Sequence, residues 1–519
     1  MAQVNFPFSD LEELVSISKE DAIETLTMLG FPTEETGDGG LTVEVTPNRP
    51  DALCVEGIAR ALRCRLEGKP VAYQVRPARV SASVDASVAG VRPFFGCAVV
   101  RGLKITDSFL RSIVSVQEKL HETLGRKRRK VAIGIHDLDK VSPPFRYFAC
   151  RRDAVSFVPL DMRERMTPER ILAEHPKGIA YAHLVGELCP MIEDHDKRVL
   201  SFPPVINGEL TRMSESTKNA FIDVTGTSGE AVRQSVNILV SMLAGRGGQA
   251  EEVLVNGKPY RLLQESRWPL PVQGAERVLG VKFSAQEIGA LLSKMGYRTG
   301  DNAAYAPGYR ADVISEIDLI EDVAIAYGFN NFEPRLPDFA SVGNAVPEPA
   351  LHEVLAGLGF DEAVTWKLSN PQLAKKAGLE NSGAIEIENP LTKDATMFRV
   401  SLLPNLLSVL SDSKNEKLPI KIYEAGTVGA PRLGKRCAIA SMHPKASFSE
   451  IKGVVLSLAE SLGKCVEVKK ASFGHFAEGR CAEIFVDGNP VGHMGEIAPQ
   501  VLSDFNLEQP VCAAEMEQF

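Results

Sequence analysis

The sequence predicts a multidomain α+β protein, and three observations lead there. Its 519 residues are enough for about three or four domains. Apolar residues recur at helical four-three spacing in some segments and alternate with polar ones in others, so helices and strands are interleaved. With 44% hydrophobic and 24% charged residues, the chain has the composition of an ordinary globular protein with ample core-forming material. No apolar run approaches the ~18 residues that span a bilayer. Met1-Ala-Gln-Val-Asn-Phe6 has neither a basic n-region nor a secretory h-region. The nine cysteines are scattered and form no C-x-x-C pair, against a disulfide framework or a zinc site. A cytoplasmic, membrane-free protein is expected. The net charge of −9 gives no global sign of nucleic-acid binding, so any RNA contact must come from a local basic patch or a partner.

Residues 1–80 read as a small N-terminal α+β domain. Ser9-Asp10 and Ser18-Lys-Glu-Asp21 are helix starts, Leu29-Gly30 closes the second helix, and Leu41–Val45 alternates as a strand. Thr46-Pro-Asn-Arg-Pro-Asp51 is turn chemistry leading into a helix over 54–66. A polar linker, roughly 70–91, precedes an α/β domain over 90–267. That domain carries Arg126-Lys-Arg-Arg-Lys130, five adjacent cations that suit phosphates or a solvated helix end. His136, at a strand end beside Asp137 and Asp139, reads as a structural hydrogen-bonder. Leu200–Gly208 and Asn219–Thr227 place small polar side chains at the ends of apolar strands, where a pocket can form.

Residues 268–336 form a third domain, with a capping box expected at Ser284-Ala-Gln-Glu287. Its last helix is rich in acid. Val313, Ile317, Ile320, Ala324 and Tyr327 mark the face expected to be buried, and Asp318, Glu321 and Asp322 stand side by side opposite it. Clustered carboxylates of this kind suit a hard divalent cation such as magnesium; the alternative is a solvated acidic face. The last domain, 349–519, reads as α+β. It has a Pro404-initiated helix and a hairpin across Asp487-Gly-Asn-Pro490.

Several of these segments resemble the beta subunit of phenylalanyl-tRNA synthetase, in its archaeal and eukaryotic-cytosolic form. They are Thr46-Pro-Asn-Arg-Pro-Asp51, Lys130-Val-Ala-Ile-Gly-Ile-His-Asp-Leu-Asp-Lys140, Pro307-Gly-Tyr-Arg-x-Asp312 and Glu316-x-Asp-Leu-Ile-Glu-Asp322 with Tyr327-Gly328. The resemblance implies a winged-helix-like magnesium-binding domain whose ion is held by Asp312, Asp318, Glu321 and Asp322 near the alpha-subunit contact. Asp322 replaces the family's more usual Glu. It implies that 90–267 is an editing-type, tRNA-binding domain that hydrolyses tyrosine wrongly attached to the phenylalanine tRNA. The candidate residues there are Asp223 and Thr225, with Asn207 and Ser201 behind them. It implies a class II synthetase-like, antiparallel-sheet core over 349–519. No Gly-rich segment leading to an ATP-holding Glu-Arg pair is present there, only Met494-Gly-Glu-Ile-Ala-Pro499, so that core is expected to be pseudo-catalytic. The expected assembly is an (αβ)2 heterotetramer with the alpha subunit, which binds ATP and charges tRNA(Phe). The alternatives are a free-standing magnesium-dependent RNA-binding or regulatory protein and a solitary trans-editing hydrolase.

Overall fold

The computed structural model describes residues 2–336, 343, 350–379 and 383–518. The chain divides into two units, Met1–Leu336 and Pro337–Phe519.

In the first unit Leu41–Val45 buries alternate side chains and forms the middle of an antiparallel sheet between Ala2–Phe6 and Thr33–Glu35. The helix Lys19–Met28 starts on Ser18, whose hydroxyl accepts from the Asp21 N–H, and the chain turns out of it at Gly30 with φ +87°. The helix Val55–Glu67 buries Ile58, Ala59 and Leu62.

The centre of the unit is a ten-stranded mixed sheet. Its path runs 206–207, 199–202, 188–193, 145–151, 75–84, 249–255, 94–101, 219–226 and 131–137, with 258–259 attached to 249–255. Val75–Val84 is parallel to both neighbours, and the other pairs are antiparallel. This strand occupies the middle of the stretch expected to be a linker. Arg76, Pro77 and Arg79 obscure its alternation, yet Val80 and Ala82 are buried.

Strand alternation divides the sheet's two faces. Ala98, Val100, Ile133, Ile135, Ala220, Ile222 and Val224 point into one core, while Phe95, Cys97, Val99 and Phe221 point into another. Asp223 and Thr225 therefore share the Phe221 face, and Gly134 and His136 lie on the same side of the neighbouring strand.

The helices Asp107–Glu122 and Gly229–Gly245 are the longest of the unit, and its last part holds the helices Val272–Leu279, Ala285–Lys294 and Glu316–Tyr327 and a three-stranded sheet centred on Ala303–Ala306. The capping box at Ser284 has both arms in place. One hydrophobic core runs from Val4 to Ala326, so the three segments read as separate domains from sequence share it.

The second unit is built on a seven-stranded sheet, ordered 361–362, 420–429, 433–442, 511–517, 489–497, 476–486 and 466–470. Only the short edge pair is parallel. Its hairpin turns on Asp487-Gly488, with φ +51° and +80°, the conformation that Asp-Gly supplies in a two-residue turn. The helix Leu403–Asp412 packs on one face and Phe448–Ser461 on the other. The carboxylate of Glu515, fully buried, accepts from the Leu402 and Leu403 N–H groups and the Ser401 hydroxyl at the start of the first helix.

Beside Glu515 lie His475 and His493, with ring centroids 4.9 Å apart and both Nε2 atoms buried without a partner. Burial, followed by the charge of His493 at His475 and of Arg436 at His493, pushes both imidazoles down to about 4; Glu515 opposes this at His475. In the unfolded chain they take up protons from about pH 6.5 downward, whereas the folded chain resists until about pH 4. Their contribution is thus complete above about pH 6.5 and lost as pH falls towards 4, at roughly 1.4 kcal/mol per pH unit per histidine. Amide protection factors in Phe476–Val486 and Asn489–Ile497 should fall steeply as pH drops from 6.5 to about 4.5, and His475→Phe should remove about half of that pH dependence.

Candidate functional site

Val131–Asp137 ends the ten-stranded sheet, so one of its edges is free. The C-terminal end of the helix Asp107–Glu122 lies against that edge, and the segment Ser201–Asn207 closes over it. Between them is a cavity of about 180 Å3. Its wall includes Ala132, Ile133, Gly134, Phe202, Val205 and Ile206; its polar groups include His121, Arg128, Ser201, Asn207 and Asp223, with Gln117, Glu118, Asp161, His175 and Lys177 also on the lining. A cavity of ~150 Å3 accepts benzene, so this one has room for an aromatic side chain.

The structure brings Asp223, Asn207 and Ser201 together on this cavity, as a shared site requires. Asp223 and Ser201 are buried and Asn207 is half-buried. Thr225 stands elsewhere. It is wholly buried, its hydroxyl accepts from Arg92 Nε at 3.0 Å, and its carbonyl accepts from Arg92 Nη2 at 3.0 Å. The same guanidinium donates to the carbonyls of Arg128 and Arg129, so Thr225 positions the basic loop rather than lining the cavity.

His136 is a hydrogen-bonder, as its sequence position suggested, but it bonds the central carboxylate of the site. Its Nε2 is 2.5 Å from Asp223 Oδ2 and its Nδ1 is 2.7 Å from Thr211 Oγ1, with all three residues buried. With the carboxylate as acceptor, Nε2 carries a proton, and Nδ1 is hydrogen-bonded to the Thr211 hydroxyl. This Thr211–His136–Asp223 chain fixes the orientation of Asp223. Sequence offered no signal for it beyond a histidine near a strand end, because Thr211 and Asp223 are 75 and 87 residues away.

The basic run is not uniform. Arg126, Lys127 and Arg128 have φ of +46°, +54° and +64°, a left-handed turn that folds one cation inward and leaves the others out. Arg128 is buried. Its Nη1 donates to the Pro204 and Val205 carbonyls, its Nη2 to Glu118, and its plane stacks 4.5 Å over Tyr181. Arg126, Lys127, Arg129 and Lys130 line an open cleft with Tyr181, His183 and Thr227.

The acidic helix has a different solution from the one expected. Asp312 and Asp322 both accept from Arg310 Nη2 at 2.7 Å, and Asp322 also accepts from the Tyr297 hydroxyl at 2.6 Å. Asp318 caps the helix, its Oδ2 accepting from the Ile314 and Ser315 N–H groups. Glu321 makes no ion pair; burial, then Asp322, Asp318 and Asp312, raise its carboxyl above the ordinary range. Asp322 is buried while Ile317 is 52% exposed, so the buried face is turned from the one the spacing suggested. Arg310 makes that turn possible, because a buried carboxylate is tolerated when paired and hydrogen-bonded. Among the described residues no group of three or more His, Cys, Asp or Glu is arranged to hold a metal. As arranged in this chain, the four acids do not fit a magnesium site.

Family models match three stretches. They are the phenylalanyl tRNA synthetase beta chain CLM domain over residues 345–518, the tRNA synthetase B5 domain over 269–329, and the B3/4 domain over 102–242. The chain is similar to the phenylalanine–tRNA ligase beta subunit of Methanothrix thermoacetophila, at 40% identity covering 100% of this chain and 99% of that protein. It is similar to that of Methanocaldococcus jannaschii at 38% identity, covering 100% of both. It also resembles the crystal structure of an N-terminal fragment of the phenylalanyl-tRNA synthetase beta subunit from Pyrococcus horikoshii. There the TM-score is 0.59 and the identity 34%, covering 63% of this chain and 99% of that one. With such identity along its whole length, the chain belongs to the phenylalanyl-tRNA synthetase beta-subunit family.

Proposed function

We propose that this chain works as the beta subunit of a phenylalanine–tRNA ligase and that the cavity beside Gly134 hydrolyses tyrosine misattached to tRNA(Phe). The observation that carries the second part is the convergence of Ser201, Asn207 and Asp223, from three different strands, on one cavity of aromatic size. Asp223, oriented by His136, accepts the phenolic proton of a bound tyrosyl group. Phenylalanine offers no such proton and leaves the carboxylate with His136 as its donor and nothing from the ligand, which is how a hydrogen-bonding pocket rejects an analogue lacking a hydroxyl. Asn207, nearer solvent, faces the ester end. The cavity holds no nucleophile paired with a base, so a water molecule is the attacking group. Its oxygen bonds to the ester carbonyl carbon, the bond to the ribose oxygen breaks, and the ribose oxygen takes up a proton as free tyrosine leaves.

Amino-acid activation, with ATP and magnesium, is assigned to an alpha subunit in an (αβ)2 assembly. The 349–519 segment is read as the class II-like, pseudo-catalytic core of the beta chain. Large apolar side chains remain in solvent there, among them Trp366 at 86% exposure, as expected of a chain that works with a partner. No observation favours a free-standing RNA-binding or trans-editing protein. Among the described residues no helix is long and apolar enough to cross a membrane, and a cytoplasmic location accords with the role.

The test is deacylation of preformed Tyr-tRNA(Phe) by the assembled enzyme. Asp223→Asn should slow it at least tenfold and leave phenylalanine charging intact. Wild-type enzyme that leaves Tyr-tRNA uncleaved would remove the editing role.

The open cleft of Arg126, Lys127, Arg129 and Lys130 is read as the approach of the tRNA backbone, with Tyr181 and His183 available for stacking. Replacing Arg126, Lys127 and Arg129 by Ala should flatten the logarithmic salt dependence of tRNA binding by roughly two units. Arg128→Ala should instead disturb the cavity, because its contacts are to the protein.

A further inference from the structure

His121 enters the cavity from the helix Asp107–Glu122, buried to 3% exposure. The Ile133 N–H, on the free edge of Val131–Asp137, donates to its Nε2 at 2.9 Å. That bond fixes the tautomer: Nε2 is the acceptor, so in the neutral ring Nδ1 carries the hydrogen. Burial, then the charges of Arg128, Lys177 and Arg92, hold this imidazole well below the usual range, so it stays neutral. Among the described residues Nδ1 has no partner, and neither does the hydroxyl of Ser201 on the same cavity. A buried donor without a partner is costly, about as much as a lost hydrogen bond, and its presence in a cavity points to a ligand that completes it.

The ligand atom it would meet follows from the geometry. A tyrosyl ester attached to tRNA must keep its ester at the mouth, so the wholly buried groups meet the end of its side chain. His121 contacts the edge strand at Ile133, and Asp223 packs over Gly134, the next residue. A donor at the strand edge and an acceptor on the sheet face thus border the same cavity, and a phenolic hydroxyl is both an acceptor and a donor.

We propose that His121 is a specificity-determining residue, donating its Nδ1–H to the phenolic oxygen while Asp223 accepts the phenolic proton. This rests on the editing reading above. It explains why a histidine is held as a neutral, single-tautomer donor among cations. An imidazole free to flip could offer an acceptor instead, and would tolerate the bare ring edge of phenylalanine no worse than tyrosine.

The experiment measures deacylation of preformed Tyr-tRNA(Phe) and Phe-tRNA(Phe) by the assembled enzyme carrying His121→Met or His121→Gln. Methionine supplies neither the acceptor for Ile133 nor the donor, whereas glutamine can supply both. The expected result is a 10–100-fold fall in Tyr-tRNA hydrolysis for His121→Met, with Phe-tRNA hydrolysis unchanged, and recovery to within about tenfold of wild type for His121→Gln. The ratio of the two rates is the decisive readout, because a merely structural histidine would lower both together. An unchanged ratio in His121→Met, with wild type active on Tyr-tRNA, overturns this assignment alone. Wild type inactive on Tyr-tRNA overturns the editing reading and this proposal with it.

Discussion

Methionine in place of Arg310 is expected to destabilise the first unit by about 3–5 kcal/mol, the usual result of leaving buried charge uncompensated. Arg310 is 7% exposed and Asp322 4% exposed, and both Asp312 and Asp322 direct a carboxylate oxygen at the same guanidinium nitrogen. Removing the cation leaves two adjacent anions and a tyrosine hydroxyl that can satisfy only one of them. Arg310→Lys should recover part of the loss, since it restores charge without the planar fork that also reaches the Met295 carbonyl. Denaturant unfolding of the whole chain measures both. Chelation is the complementary measurement. Because Arg310 supplies the counter-charge that the sequence suggested a metal would bring, a chelator should leave the unfolding midpoint where it is. A drop on chelation would return a divalent ion to the acids around Glu321.

Gly134→Ala should abolish measurable Tyr-tRNA deacylation, a loss of at least about 10²-fold. A Cβ at this position would be driven into the Asp223 carboxylate and would stand 2.5 Å from His136 Nε2. Neither neighbour can yield cheaply, because His136 is held at its other end by Thr211 and all three are buried. The pair must therefore open and Asp223 must turn, which removes the acceptor from its place. Overpacking of this kind costs typically 1–3 kcal/mol, so the variant should fold and its loss should be chemical. Retention of wild-type deacylation would place the phenolic hydroxyl away from Asp223.

Much of this architecture is legible in the sequence where local rules suffice. The capping box at Ser284, the Asp487-Gly488 turn and the period-two strand at Leu41–Val45 each follow from a few adjacent residues. Asp223, Asn207 and Ser201 stand out in the sequence as small polar residues at the ends of apolar strands, and the structure puts all three on one cavity. Hidden instead was whatever depends on a distant partner. Ile317 looks buried and Asp322 exposed until Arg310 is known to reach inward. Thr225 shares a strand face with Asp223, yet Arg92, 133 residues earlier, claims it. His121 and His136 are ordinary histidines in the sequence. Their roles come from Ile133 and Asp223, contacts made only when the sheet edge assembles.

The continuous core from Val4 to Ala326 has a consequence for how this protein can be cut and recombined. Arg60 donates to Ser241, Arg246 reaches back to Glu13 and Glu56, and Arg65 donates to the Ala326 carbonyl. Any chimera joined between residues 80 and 90 severs all of these at once, so an exchanged first segment must bring compatible arginines and their acceptors with it. The first 336 residues are consequently inherited, grafted or lost as one block. Modularity begins only at the junction with the second unit.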